Sequence, residues 1–378
     1  MLVKNTNWMH DMNIVVTGAN GFIGKNLCSM LDESGFKDVT RIDRTTSKAD
    51  FETALSKADF VFHLAGINRP TNDNEFKTGN SDLTQFIVSE LHKTGRQVPI
   101  VLSSSTQADR DNLYGASKAE AEAIVERYGK QSNAPFYIYR FPNVFGKWCR
   151  PNYNSFVATF CHNIANDIAI NIHDPKAEVT LVYIDDVCKS LISLVDSGMS
   201  SGYQIVSPEY LVTVGEVAEL LMAFKESRSN LVTESVGTGF TRALYSTYLS
   251  YFSPAQFSYQ IPGYTDERGT FCEMLKTKDS GQFSFFTAHP GITRGGHYHH
   301  SKNEKFLVIK GSALFKFENI ATGERYELAV SADELRVVET VPGWSHDITN
   351  SGQEELIVML WANEIFDREA PDTFARLL

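Results

Sequence analysis

Two groups of residues in this chain have types and spacings that could do chemistry. Near its start, Gly18, Gly21 and Gly24 follow the apolar run Val15-Val16, and further on Tyr114 and Lys118 lie four apart behind the serines Ser103, Ser104 and Ser105. Near its end, His297, His299 and Glu304 precede His346. A glycine turn lets the backbone approach a pyrophosphate, and the helix that follows supplies N–H groups and partial positive charge. Residues four apart share a helix face, and an ammonium beside a phenol favours the phenolate. Tyr114 is therefore expected to have a lowered pKa and to pass a proton to a carbonyl oxygen that receives hydride. Alternate strand positions point His297 and His299 at one ion, and Glu304 and His346 complete a three-nitrogen, one-oxygen set suited to zinc or another divalent transition metal. His300 falls on the opposite face and is expected at the surface, with a role behind the ligands as the alternative.

Elements must hold these groups in place. At 378 residues the chain fits two domains. Short β-branched or aromatic runs alternate with helical patterns in the first half: Asn13 to Thr17, Phe22 to Leu31, Phe60 to Ala65, Ile100 to Ser103, Ala116 to Tyr128 and Tyr137 to Phe141. That rhythm predicts a doubly wound parallel α/β sheet of Rossmann type. After about Leu244 the pattern becomes short strands punctuated by Gly, Pro, Asp and Asn, including Phe306 to Ile309, Ala313 to Phe317, Tyr326 to Val330 and Leu356 to Trp361, which predicts an all-β sandwich or barrel. The expected division is an extension over 1–11, a dinucleotide-binding domain over 12–246, a connecting segment over 247–264 and the β domain over 265–378.

Composition narrows the class. With 42% hydrophobic and 21% charged residues the chain is globular, and a net charge of -11 argues against nucleic acid as a partner. Five scattered cysteines without a Cys-x-x-Cys pair read as reduced thiols in a cytoplasmic protein. No stretch approaches the roughly 20 apolar residues of a membrane span.

The first part of the chain resembles the extended short-chain dehydrogenase/reductase family, which acts largely on nucleotide-sugars. The resemblance is carried by Gly18-x-x-Gly21-x-x-Gly24, Asp59-Phe60-Val61-Phe62-His63-Leu64-Ala65-Gly66, the serine run, Tyr114-x-x-x-Lys118, Arg140-Phe141-Pro142-Asn143-Val144-Phe145-Gly146 and Tyr183-Ile184-Asp185-Asp186-Val187. It implies a cofactor surface of Gly18, Asn20, Gly21, Phe22, Ile23, Gly24, Leu64, Ala65 and Gly66, with Asp59 at the adenine. It also implies that Ser105 holds the reacting oxygen, with Ser104 as the alternative, that Lys118 holds the nicotinamide ribose, and that Asn143 meets the sugar nucleotide. Thr106 and Gln107 stand where dehydrating relatives carry an acid–base pair, so dehydration is disfavoured. At the end of the expected second strand, Asp43 suits a ribose hydroxyl and Arg44 a 2′-phosphate, which favours NADPH and leaves NADH open.

The metal pattern resembles the two motifs of the cupin superfamily, small jelly-roll barrels, except that Pro342 directly precedes Gly343 where an intervening residue is usual. Segments around Asp266-Glu267-Arg268-Gly269 and Thr293-Arg294-Gly295-Gly296-His297 also resemble cupin-fold epimerases of deoxy-4-keto nucleotide-sugars, in which that histidine is a base and no metal is needed. Arg268 and Arg294 suit either a diphosphate or ordinary surface ion pairs. From Met12 onward the chain resembles bifunctional capsular-polysaccharide reductase/epimerases, through stretches such as Phe145-Gly146-Lys147-Trp148-Cys149, Leu244-Tyr245-Ser246-Thr247-Tyr248 and Lys302-Asn303-Glu304-Lys305. This implies a homodimer, a UDP-sugar substrate and UDP-2-acetamido-2,6-dideoxy-L-talose as product. A 4-epimerase with tightly held NAD and a dimerising cupin, and a non-catalytic sugar or redox sensor, are the alternatives.

Overall fold

Residues 11–196, 198–266, 269–272, 275–277, 282–364 and 369–378 are described by the structure, a computed structural model. Glu267 and Arg268 lie outside the described residues. By internal contacts the chain forms two units, Met1–Val144 with Thr180–Tyr210 and Phe145–Val179 with Leu211–Leu378.

The first unit is built on six parallel strands: β1 (Ile14–Thr17), β2 (Val39–Ile42), β3 (Phe60–His63), β4 (Ile100–Ser105), β5 (Phe136–Phe141) and β6 (Gly202–Gln204), in the spatial order β2-β1-β3-β4-β5-β6. Central strands β1 and β3 are buried along their whole length, as their mostly apolar sequences predict for a sheet covered on both faces. The covering helices include α1 (Phe22–Glu33), α2 (Lys48–Lys57), α3 (Leu83–Lys93) and α4 (Leu113–Ser132). Leu55, Ile87, Leu91, Ile100, Val125 and Ile138 form one of the cores beneath them. The order of strands reverses between β1 and β3, so a crevice opens beyond their carboxyl ends.

The second unit contains two five-stranded antiparallel sheets. One runs β7 (Ser258–Gln260), β13 (Arg336–Glu339), β10 (Glu304–Lys310), β15 (Leu356–Ala362), β8 (Gln282–Ala288); the other runs β12 (Arg325–Ser331), β11 (Ser312–Asn319), β14 (Trp344–Asn350), β9 (Thr293–Tyr298), β16 (Phe374–Ala375). Alternating burial along β11 gives its inner face to Ala313, Phe315 and Phe317. Phe315 meets Phe306 of the other sheet at 5.8 Å between ring centroids, so aromatic packing closes the cupin-type barrel. Trp361 of β15 is fully buried, and truncating it to alanine would cost roughly 3–5 kcal/mol.

This unit also carries the helices Phe156–Ala165, Val214–Asn230 and Gly239–Leu249. Residue 246, the expected end of the first domain, lies inside the last of them. A capping box between Thr213 and Glu216 starts the helix Val214–Asn230, satisfying backbone donors at its N-terminus. Among the described residues, no helix is long and apolar enough to cross a membrane.

Candidate reductase and metal sites

Each candidate site lies within one unit. In the first, β1 delivers Gly18 into the turn with φ +69°, and a Cβ there would come within 2.8 Å of the Ala65 backbone nitrogen. A Cβ on Gly24 would lie 2.1 Å from the Gly18 carbonyl oxygen, so the turn and the first coil of α1 can touch only as glycines. Gly21 is the N-cap of α1 and brings no side chain to cap it, which leaves the first N–H groups of a twelve-residue helix directed at the crevice. Phe22 and Ile23 open that helix. These features fit a dinucleotide diphosphate. Leu64, Ala65 and Gly66 leave the end of β3 beside them; Thr17 Oγ1 accepts from Ala65 N at 3.2 Å and joins His63, which also meets Thr84. Burial pushes the His63 imidazole down to about 3, so it stays neutral in this chain of hydroxyls.

Beyond β2, Asp43 accepts from Asn20 of the glycine turn and from Thr45 N at 2.8 Å. Hydrogen bonds, those from Thr45 foremost, hold its carboxyl below the usual range. Arg44, next to it, is exposed. Asp59 accepts from Asn13 N and the Arg96 guanidinium, both at 3.0 Å. Asn143 is exposed, with its amide donating to the Thr180 carbonyl at 3.4 Å.

Asn112 caps α4 by accepting from Gly115 N at 2.8 Å, which extends the helix three residues N-terminal to the expected Ala116 start and sets Tyr114 in its first turn. Ser105, at the end of β4, is near enough for its hydroxyl to act on the Tyr114 phenol. Ser104, one residue earlier, faces inward and donates to Glu122.

One expectation is reversed. Burial raises the Tyr114 phenol, and the nearby Ser105 hydroxyl only moderates this. Lys118 donates instead to the Ser103 carbonyl at 2.8 Å, with its nitrogen 6.0 Å from the Tyr114 ring centroid. Burial lowers the Lys118 ammonium to about 8, against the pull of Glu122.

Two supporting residues escaped the sequence reading. Asn80 sits in a π-helical turn, Lys77–Asp82, where it bridges Ile67 and Ser117 beneath Gly66. Glu122 binds the Arg140 guanidinium with a contact of 2.7 Å. Its position one turn beyond Lys118 was the available signal; Asn80 left none.

In the second unit, β9 and β14 pair so that His297 stands opposite His346, after a β-bulge at Gly295 and Gly296, whose φ values are +95° and +75°. His299 follows just beyond β9, and Glu304 opens β10. One donor atom from each of the four lies within 4.8 Å of all the others. Glu304 Oε2 is 3.3 Å from His299 Nε2 and 3.4 Å from His346 Nε2. A tetrahedron with metal–ligand bonds of about 2.0–2.1 Å has edges of about 3.3–3.4 Å, so these spacings and this donor set fit zinc or a similar divalent ion.

Burial pushes the Glu304 carboxyl up, yet His299 and His346 outweigh it and hold the carboxyl well below its ordinary range. Burial, aided by His346 and His299, lowers His297 to about 3. Both imidazole and carboxylate are thus in the forms a cation needs.

The Pro342–Gly343 departure does not displace His346. Gly343 takes φ +79° and donates to the His299 carbonyl at 3.1 Å, tying the two motifs together. His300 is 4% exposed, packed by its ring against Tyr298 and Phe374, so the surface expectation fails. Its neighbourhood is fixed by Asp372, which accepts from the backbone nitrogens of His300, Ser301 and Lys302 at 2.7–2.8 Å, while its own carbonyl meets His299 Nδ1. Arg294 is exposed, lying 5.1 Å from the Phe286 ring centroid and donating to Thr287 O.

With residues 14–205 matching the NAD dependent epimerase/dehydratase family, the chain belongs to that family. Residues 264–374 match the polysaccharide biosynthesis C-terminal domain. Across 96% of its length, and 98% of the relative's, the chain is 56% identical to the UDP-2-acetamido-2,6-beta-L-arabino-hexul-4-ose reductase of Pseudomonas aeruginosa. The crystal structure of the capsular polysaccharide assembling protein CapF from Staphylococcus aureus is similar to it with a TM-score of 0.67 and 40% identity, covering 97% of this chain and 100% of that one. A UDP-N-acetylglucosamine 4-epimerase from Bacillus cereus, 22% identical over 58% of this chain and 84% of its own at a TM-score of 0.51, shares the fold of the first unit. Together these matches support a nucleotide-sugar reductase or epimerase with a nicotinamide cofactor.

Proposed function

We propose that the chain is a bifunctional nucleotide-sugar enzyme of surface-polysaccharide synthesis. Its cupin half epimerises C3 of a UDP-4-keto-6-deoxy-N-acetylhexosamine, and its reductase half then reduces the C4 ketone with NADPH to UDP-2-acetamido-2,6-dideoxy-L-talose. The observation that carries this reading is the near full-length match to a 4-ulose reductase in a chain that keeps both Ser105 beside Tyr114 and the enclosed His297, His299, Glu304 and His346 set.

The order of steps follows from the substrate. The C3 hydrogen is acidic only while C4 is a ketone, so reduction must come second. When bound, reduced nicotinamide supplies the hydride and a divalent cation polarises an oxygen. Ser105 holds the C4 oxygen by its hydroxyl, and Tyr114 donates the proton; burial, which keeps the phenol protonated at neutral pH, suits a donor. Lys118 binds the ribose and supports the phenolate left behind. Asn143 contacts the sugar nucleotide. Asp43 is already engaged by Asn20 and Thr45, while Arg44 remains exposed beside it, and this supports NADPH over NADH.

One incubation tests the whole reading. The purified chain is given the UDP-4-keto sugar in deuterated water, with NADPH, NADH or neither, and the products are identified by mass and NMR. Deuterium at C3 without coenzyme, and coenzyme oxidation to the 6-deoxytalose product with it, are expected. A keto-sugar that returns unlabelled and unreduced sinks the reading.

A further inference from the structure

Glu304 uses its two carboxylate oxygens differently. Oε2 faces His299 and His346, whereas Oε1 lies 2.9 Å from the ammonium of Lys302. That separation is a close ion pair, and it is desolvated, with Lys302 8% and Glu304 5% exposed. The lysine is also anchored at its own backbone, since its N–H donates to Asp372 Oδ2 at 2.7 Å. Glu304 is fixed in turn by Thr340, which accepts from its N–H and donates to its carbonyl, both at 2.9 Å. Both partners are thus held before any ion arrives.

We propose that Lys302 is a positioning residue that limits Glu304 to a single coordinating oxygen. A carboxylate bound through both oxygens fills one more coordination position and suits larger, oxygen-seeking cations; a carboxylate bound through one suits a compact site of few ligands. An ammonium 2.9 Å from Oε1 opposes turning that oxygen toward the ion, because separating two buried opposite charges forfeits their attraction. The consequence is a coordination sphere with room for an oxygen of the substrate, and a bias toward zinc or cobalt over manganese or calcium. This inference rests on the reading of the four donors as a metal site.

The test uses cobalt(II) as the probe, because its visible absorption is intense in four-coordinate sites and weakens as coordination number rises. Wild type, Lys302→Met and Lys302→Arg are stripped with chelator, loaded with cobalt and assayed for metal content and spectrum, with circular dichroism as the check on folding. The expected result is one cobalt per chain in all three, a band several-fold weaker in Lys302→Met, and a wild-type band in Lys302→Arg, whose guanidinium can hold the same oxygen. Zinc-over-manganese preference should fall about 10-fold in Lys302→Met. If that variant does not fold, Lys302→Gln replaces it and should also weaken the band. A wild-type band and preference in the folded neutral variant overturns the role of Lys302 and leaves the metal reading standing. Wild type that takes up no cobalt overturns both.

Discussion

The hydroxyl of Ser104 donates to the buried carboxylate of Glu122, and this leaves the next serine, Ser105, to the phenol of Tyr114. Successive residues of β4 face opposite sides, so one serine braces the helix while the other meets the crevice. Ser104→Ala should retain reductase turnover but lose roughly 1–3 kcal/mol of stability by removing a buried hydrogen bond to a charged carboxylate. Ser105→Ala should fold normally and lose about 100- to 1,000-fold in kcat, as when one donor to a developing oxyanion is removed. Tyr114→Phe should lose about 100- to 10,000-fold while C3 exchange continues. Steady-state NADPH oxidation and denaturant midpoints separate these outcomes; the reverse pattern for the two serines would refute the assignment.

Lys118 makes stability depend on alkaline pH. Burial places its pKa at about 8 in the folded chain, below the 10.5 of an exposed lysine. Between these values the unfolded chain binds more protons, so its contribution to stability rises with pH across that window, by up to roughly 3 kcal/mol. Lys118→Met should lack this rise. Urea midpoints of both proteins from neutral to alkaline pH check the point, and parallel curves would show that the ammonium is not held as described.

Metal removal should act on the second unit alone. A ligand present at 100 times its dissociation constant stabilises the folded state by about 2.7 kcal/mol, so chelation should lower a calorimetric transition that zinc restores. His346→Ala should abolish the shift, since His346 stands opposite His297 and closes the donor set. A transition indifferent to chelator and zinc in the wild type would exclude metal binding. Full C3 exchange by folded, metal-free enzyme would limit the ion to bracing the barrel.

Asp372 should behave as part of the metal site although it binds no ion. Burial pushes its carboxyl up, but the backbone N–H groups of His300 and Ser301 and the nearby His300 and His299 side chains hold it well below the ordinary range. Asp372→Ala strands those donors and should cost roughly 2–5 kcal/mol and weaken zinc binding about 10- to 100-fold. Equilibrium dialysis against zinc reads the effect; unaltered affinity would mean that the loop holds itself.

What the sequence disclosed was set by range. The glycine turn, the Tyr114–Lys118 pair and the His297–His299–Glu304 run lie within one or two elements, where periodicity decides which side chains share a face. The doubly wound sheet and the β barrel were legible for the same reason. His300 escaped because its burial depends on Phe374 and Asp372, far along the chain. The Tyr114 pKa escaped because the tertiary environment, with Lys118 drawn to Ser103, outweighs proximity on a helix. Lys302 stands two residues before Glu304, yet the role proposed for it depends on which carboxylate oxygen it meets, and spacing carries no such information.

The opposition of His297 and His346 across β9 and β14 links the chemistry of the barrel to the timing of its assembly. Strand pairs so distant in sequence form late, because loop closure must be overcome before they are rewarded. A nascent or half-collapsed barrel can present the first three donors but not the fourth. Tight capture of the cation is then a signature of finished topology, and a refolding trace followed by metal uptake would lag one followed by helix formation.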